Sequence, residues 1–404
     1  MSPHTSCAPE HWLALALVGT RSRREANHST ITELAARSDL YTLEALLRAQ
    51  GVLSLVGQRL LELTDLVTDE FAAHVREHVR LVERQGVGQQ MITLRLSAAL
   101  TDAGVRTLPL KGPLLGERIH GELGVRVSAD IDLLVAPSDL VAAIEVLSEL
   151  GYRRAPRAQP PQLPRSDLHE CLRSTVDLPE VELHWRIHHY EQQFSQEMLR
   201  RATPGPDGCL RPEAADELIA LLLFYARDGM AGLRLLGDLT AWWDRFGRTL
   251  PPGKIHELVR EHPVIVPAVA SAAVAAQRLG GLPADELFEP EILSRASDSA
   301  IRMSNWCLSG RRSHIAANLF MIDCLLTPRE QRRALLTRHL WRDEAALYGE
   351  WLETALTRRG LTRARLLHLA RVSARCLVAL WQLRRGREWA PLPAGMSPGG
   401  RNEK

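Results

Sequence analysis

Apolar side chains recur at three- and four-residue spacing along residues 43–63 and 70–100, as they do on the buried stripe of an amphipathic helix. Residues 1–100 are rich in Ala, Leu, Arg and Glu and poor in glycine, so they predict an N-terminal helical region. The pattern then changes. Thr107-Leu-Pro-Leu-Lys-Gly112 is a short apolar run ending in a glycine turn, which predicts a strand. Pro113 suits a first helical position, and residues 114–120 follow as a short helix. Residues 129–135 alternate apolar and polar as a second strand. Pro137-Ser138-Asp139 then opens a helix over 140–150 that Gly151 closes. Residues 155–164 are rich in Pro, Gln and Arg and predict a loop, and 181–185 a further strand. Strands alternating with helices over 105–190 make a compact α/β unit. From about Glu213 the helical pattern returns and runs to Trp389, broken at Pro251-Pro252-Gly253, Gly280-Gly281 and Gly360. Residues 391–404 are polar and rich in Pro and Gly, the composition of a disordered tail. The boundaries expected are 1–100, 101–192, 193–390 and 391–404.

Composition narrows the function classes. The 404 residues carry 50 Lys and Arg against 48 Asp and Glu, a balance that excludes whole-surface attraction to nucleic acid or anionic lipid. The six cysteines are scattered with no C-x-x-C pair. That argues against a zinc module or a disulfide framework and fits a reducing compartment. No apolar run reaches the ~18–20 residues of a membrane span. Residues 264–276 and 218–226 are of core-helix length, and residues 12–19 are apolar without the flanks of a signal peptide. A soluble cytoplasmic protein is expected. Residues 358–387 hold nine arginines and no acidic residue, with an apolar stripe at helical spacing. A basic helix packed on the domain, an RNA or acidic-peptide contact and a membrane surface all fit that pattern.

The candidate chemistry lies in Ala129-Asp-Ile-Asp-Leu-Leu-Val135. Residues two apart in a strand share a face, so Asp130 and Asp132 point one way while Ile131, Leu133 and Val135 point into a core. Adjacent carboxylates repel, and a cation between them relieves the repulsion. A solvated edge strand is the plain alternative. In Val181-Glu-Leu-His-Trp185 the apolar residues again alternate, and Glu182 and His184 share the other face. If this strand neighbours the first, Glu182 supplies a third carboxylate, and three suffice for a two-ion site. The ordinary reading of Glu182 and His184 is an exposed polar face. In Leu110-Lys-Gly112 the glycine lets backbone amides approach a phosphate at a helix N-terminus, and Lys111 adds a cation. Arg126 suits either a phosphate contact or a salt bridge to the aspartates. Asp238 stands one turn after Arg234, as a local ion pair or as a cleft residue.

Leu110-Lys-Gly112, Arg126, Asp130-Ile-Asp-Leu-Leu-Val135, Gly151-Tyr152 and Val181-Glu-Leu-His-Trp185, in that order, resemble a bacterial nucleotidyltransferase-like family of the DNA polymerase β nucleotidyltransferase superfamily. The resemblance extends over roughly residues 40–345, adding Leu233-Arg-Leu-Leu-Gly-Asp238 and a weaker stretch near 329–340. It implies an α+β fold, a small mixed sheet as the nucleotidyltransferase core between helical regions. It also implies Asp130, Asp132 and Glu182 as catalytic metal ligands, two Mg²⁺ ions, and a nucleoside triphosphate such as ATP as co-substrate. The reaction implied moves a nucleoside monophosphate to a hydroxyl or similar acceptor, on a small molecule or a peptide. Many superfamily members carry a serine after the first glycine, where this chain has Pro113. Phosphate contact then falls to Lys111, the amides around Gly112, and Arg126. A non-catalytic nucleotide- or partner-binding protein of the same fold, and an RNA nucleotidyltransferase using residues 358–387, are the competing readings.

Overall fold

A computed structural model describes residues 8–63, 67–122, 125–154, 168–189, 191–251, 253–304, 315–333 and 335, with six further positions between 366 and 377. The expected loop at 155–164, most of the basic tract 358–387 and the tail 391–404 lie outside the described residues.

Helices α1 (Pro9–Val18), α2 (Arg21–Ala26), α3 (His28–Arg37), α4 (Leu40–Ala49) and α5 (Leu53–Leu61) precede a 34-residue helix, α6 (Asp69–Asp102). The stretch expected as one helix over 43–63 is therefore two. Its apolar spacing persists on both sides of Gln50-Gly51, so periodicity alone could not see the break that the glycine makes after α4. Thr68 caps α6 by accepting from the Phe71 amide, and Asp69 and Glu70 complement the helix dipole in its first turn.

The sheet follows. Strand β1 (Thr107–Pro109) ends three residues earlier than expected, and α7 (Pro113–His120) begins at the predicted proline. Next come β2 (Asp130–Val135) and α8 (Leu140–Glu149), the latter entered through a 3-10 turn at Pro137–Asp139. Strands β3 (Tyr152–Arg154), β4 (His169–Ser174) and β5 (Glu180–His184) complete a mixed five-stranded sheet of order β1-β2-β5-β4-β3. Only β2 and β5 run parallel. Their register places Asp132 opposite Glu182 and Leu134 opposite His184.

One face of this sheet is dry. Ile131, Leu133, Val135, Val181 and Leu183 pack there on Leu96 and Leu100 of α6 and on Leu140, Ala143 and Leu147 of α8. The opposite face meets the C-terminal helices, which begin with α9 (Gln193–Arg201). A small β6–β7 ribbon (Thr203–Pro204, Leu210–Arg211) leads into α10 (Ala214–Arg227) and α11 (Leu233–Phe246). Then come α12 (Lys254–Glu261) and α13 (Val266–Gly280), followed by shorter helices. A second core joins α10, α11 and α13 to the N-terminal helices and to Leu108, Leu115 and Leu134. Pro263–Gly280 has the length and hydropathy of a membrane span, yet it is 61% buried inside the protein and its alanines fill that core.

Candidate functional site

The register of β2 with β5 brings the predicted acidic residues together. One ligand oxygen each from Asp130, Asp132 and Glu182 lies within 4.8 Å of the others. Asp132 is buried and Glu182 half-buried, because α10 covers this face rather than solvent. The solvated-edge alternative fails for that reason. The Asp132 Oδ2 atom is buried without a hydrogen-bond partner, whereas Oδ1 meets Lys111 Nζ at 3.3 Å and His184 Nε2 at 2.9 Å. An all-oxygen trio with one buried, unsatisfied carboxylate oxygen suits a hard divalent cation.

His184 is not the surface residue that alternation suggested. It is fully buried, and its Nε2 reaches Glu182 Oε2 at 3.2 Å as well as Asp132. His169, opposite it on β4, sets its Nε2 3.5 Å from Glu182 Oε1. Burial alone would raise the Asp132 carboxyl. The charges of Lys111 and His184, with the His184 hydrogen bond, outweigh that and hold it below the ordinary carboxylate range. Glu182 is likewise held low, against its own burial, by His184 and His169. Burial and the neighbouring His184 push His169 down to about 4, so its imidazole is neutral at pH 7.

A cavity of about 530 Å³ opens beside these groups, and its lining includes Asp130, Glu182 and Asp228 together with Lys111, Arg126, Arg227 and Arg234. Lys111 Nζ sits 4.2 Å and the Arg227 guanidinium 4.8 Å from the ring centroid of the buried Phe224, so the ring holds both cations by cation–π attraction. Arg227 also donates to the Ile187 carbonyl at 3.3 Å. Gly112 has φ of 94° at the N-cap of α7, a conformation that a side chain disfavours.

Arg126 does not bridge to the aspartates of β2. Its Nε donates to Asp238 Oδ2 at 2.8 Å, and both side chains are buried. Asp238 therefore pairs across the molecule rather than with Arg234 on its own helix. His120 Nε2 approaches the other Asp238 oxygen at 3.6 Å. Gly116 permits this arrangement, because a Cβ there would stand 2.7 Å from the Arg126 Cβ. Helix α7 is held in place by Arg118, which donates to Glu217 of α10 at 2.7 Å.

Three functional candidates escaped the sequence reading. Arg227 and Phe224 belong to α10, whose near-continuous apolar run gives no sign that one lines the cavity and the other supports its cations. Gln89, buried on α6, donates to the Asp130 carbonyl at 2.7 Å and accepts from the Ser128 amide at 3.2 Å. Ser128 Oγ in turn donates to Asp130 Oδ1. A helix that carries Gln85, Gln89 and Gln90 gives no sign that one of them clamps a distant loop.

No curated protein matches this chain. The profile of an uncharacterised nucleotidyltransferase family matches residues 37–280, ending well before the 345 expected from the motifs. That span covers more than half of the chain and includes the sheet, the three carboxylates, all four cavity cations and helix α11. The chain is a member of this uncharacterised nucleotidyltransferase family.

Proposed function

We propose that the cavity binds a nucleoside triphosphate with Mg²⁺ and transfers its nucleoside monophosphate to a hydroxyl or similar acceptor on a small molecule or peptide. The placement in the DNA polymerase β-like superfamily belongs to the same reading. The observation that carries it is a trio of carboxylates, two of which line a cavity shared with four basic side chains. That is the charge pattern a metal-bound polyphosphate requires.

Asp130, Asp132 and Glu182 would hold the ion, which when bound would neutralise the triphosphate and lower the pKa of the acceptor hydroxyl. The rest falls to the chain. Lys111, Arg126, Arg227 and Arg234 take the phosphate oxygens, and Phe224 keeps two of these cations in place. The acceptor oxygen attacks the α-phosphorus, the bond from that phosphorus to the bridging oxygen breaks, and pyrophosphate leaves with the bond electrons. Glu182, held ionised at neutral pH, is placed to receive the acceptor's proton.

Labelled nucleoside triphosphates incubated with the protein, Mg²⁺ and a cell extract should transfer label to an acceptor. Asp132→Asn should lower this by more than about a hundredfold while leaving the circular dichroism spectrum unchanged. Because Asp132 is buried, the half-buried Asp130 provides a second variant, Asp130→Asn, with the same expected loss. A fully active Asp132→Asn protein rejects the assignment. Two features favour a second reading, a nucleotide sensor. Lys111 and His184 already neutralise Asp132, and Pro113 replaces the phosphate-contacting serine. Mg²⁺-dependent triphosphate binding without any product selects that reading.

A further inference from the structure

The cleft face of the sheet carries two kinds of ligand around Glu182. Toward β2 lie Asp130 and Asp132, which are oxygen donors only. On β4 lies His169, and next along β5 lies His184, whose Nε2 is also 2.9 Å from Asp132 Oδ1. Ligand atoms of His169, Glu182 and His184 also lie within 4.8 Å of one another, with the two rings 4.8 Å apart. The Nε2 atoms reach separate oxygens of Glu182, at 3.5 and 3.2 Å. Separations near 3–3.5 Å are those of neighbouring ligands on one ion with bonds of about 2.1 Å.

Magnesium explains only the first group, since it prefers oxygen ligands. Imidazole nitrogen is a ligand for first-row transition ions. We propose that His169, Glu182 and His184 form a second cation position in the cleft, selective for a borderline divalent ion of the Mn²⁺–Co²⁺–Zn²⁺ class, with Glu182 shared between the two positions. This inference rests on the nucleotidyl-transfer reading for the first position and gives the second ion a different chemistry. Cys171 Sγ lies 3.8 Å from Glu182 Oε1, but burial and Glu182 push its thiol up to about 11. It donates to that oxygen and is not counted among the ligands.

The test uses the full chain, stripped of metal with a chelator and held in excess Mg²⁺ to fill the oxygen position. Titration with Co²⁺ should show one tight equivalent with a visible ligand-field band. His169→Gln, at a partly exposed position, should weaken it by more than about tenfold, since even the partners of metal ligands are worth 10–100-fold. Asp130→Asn should leave the Co²⁺ band and affinity within about twofold. No Co²⁺ uptake over Mg²⁺, or loss in Asp130→Asn but not in His169→Gln, overturns the proposal. Calorimetry of Mg²⁺ with a nucleoside triphosphate separates the two readings. Nucleotide binding without a Co²⁺ position sinks only this inference. A Co²⁺ position without nucleotide binding sinks nucleotidyl transfer and keeps the nitrogen-bearing site.

Discussion

Asp238 shows how far a single residue's role can lie from its sequence neighbourhood. Its spacing from Arg234 suggests a local helical pair, yet its partner is Arg126, 112 positions away. Both side chains are about 2% exposed, so each charge depends on the other for solvation. Burial would raise the Asp238 carboxyl, but Arg126 and His120 hold it low. Removing one member leaves the other charge buried and unpaired, at a cost of about 3–5 kcal/mol. Asp238→Asn should therefore lose about 3 kcal/mol in urea unfolding. The double variant Asp238→Leu with Arg126→Met should recover most of it, because two well-packed apolar groups replace an ion pair at little cost. A single variant within 1 kcal/mol of the parent would contradict this. The acidic trio was legible for the opposite reason: charges at alternate positions of an otherwise apolar strand break the expected pattern where they stand. Arg126 breaks no pattern, so only the folded chain could reveal its partner.

At the scale of elements, the strands that announced themselves were those with one apolar face. Strands β2 and β5 alternate cleanly, and their parallel register delivers Asp132 to Glu182. Strand β4 leaves no such mark, because His-Glu-Cys-Leu-Arg-Ser offers one large apolar residue, Leu172. Its other inward position holds Glu170, buried on the dry face with Arg154 nearby at 3.9 Å. With β4 unseen, His169 could not be placed beside His184, and the nitrogen side of the cleft stayed invisible. Helix α6 makes the other hidden contribution. Gln89 ties its middle to the loop that enters β2, fixing the Ser128 amide and the Asp130 carbonyl together. Leucine at that position leaves both groups unsatisfied, at about 1–3 kcal/mol each. Gln89→Leu should cost about 2 kcal/mol of stability and accelerate hydrogen exchange at the Ser128 amide, with α6 itself still helical. Unchanged exchange at Ser128 would show that the loop is held by other contacts.

Across the whole molecule, the boundary of the family match and the boundary of the folded unit differ. The match begins at residue 37, but α1, ahead of it, is apolar on all sides over residues 12–18 and lies inside the larger core. Leu13, Leu15, Leu17 and Val18 are each no more than 2% exposed. The end of α1 is also sewn to the C-terminal helices. Thr240 Oγ1 donates to the Val18 carbonyl at 2.7 Å, and the Thr20 amide to the Gly280 carbonyl at 3.0 Å. Arg21 adds a third stitch, its amide meeting Asp244 at 2.7 Å. Burying four large aliphatic side chains contributes on the order of 8 kcal/mol at about 2 kcal/mol each. That is comparable with the entire stability of a typical domain, about 5–15 kcal/mol. Helices α10 and α11 carry Arg227 and Arg234 into the cavity, and α11 rests directly on α1. A chain cut to begin at residue 37 should therefore lose its cooperative urea transition and bind a hydrophobic dye through the uncovered faces of α11 and α13. With the scaffold of the cavity cations loosened, it should also lose Mg²⁺-dependent triphosphate binding by calorimetry. A truncated chain that unfolds cooperatively at the parent's midpoint would mean that the core closes without α1. The first 36 residues would then be an accessory to the site rather than part of its foundation.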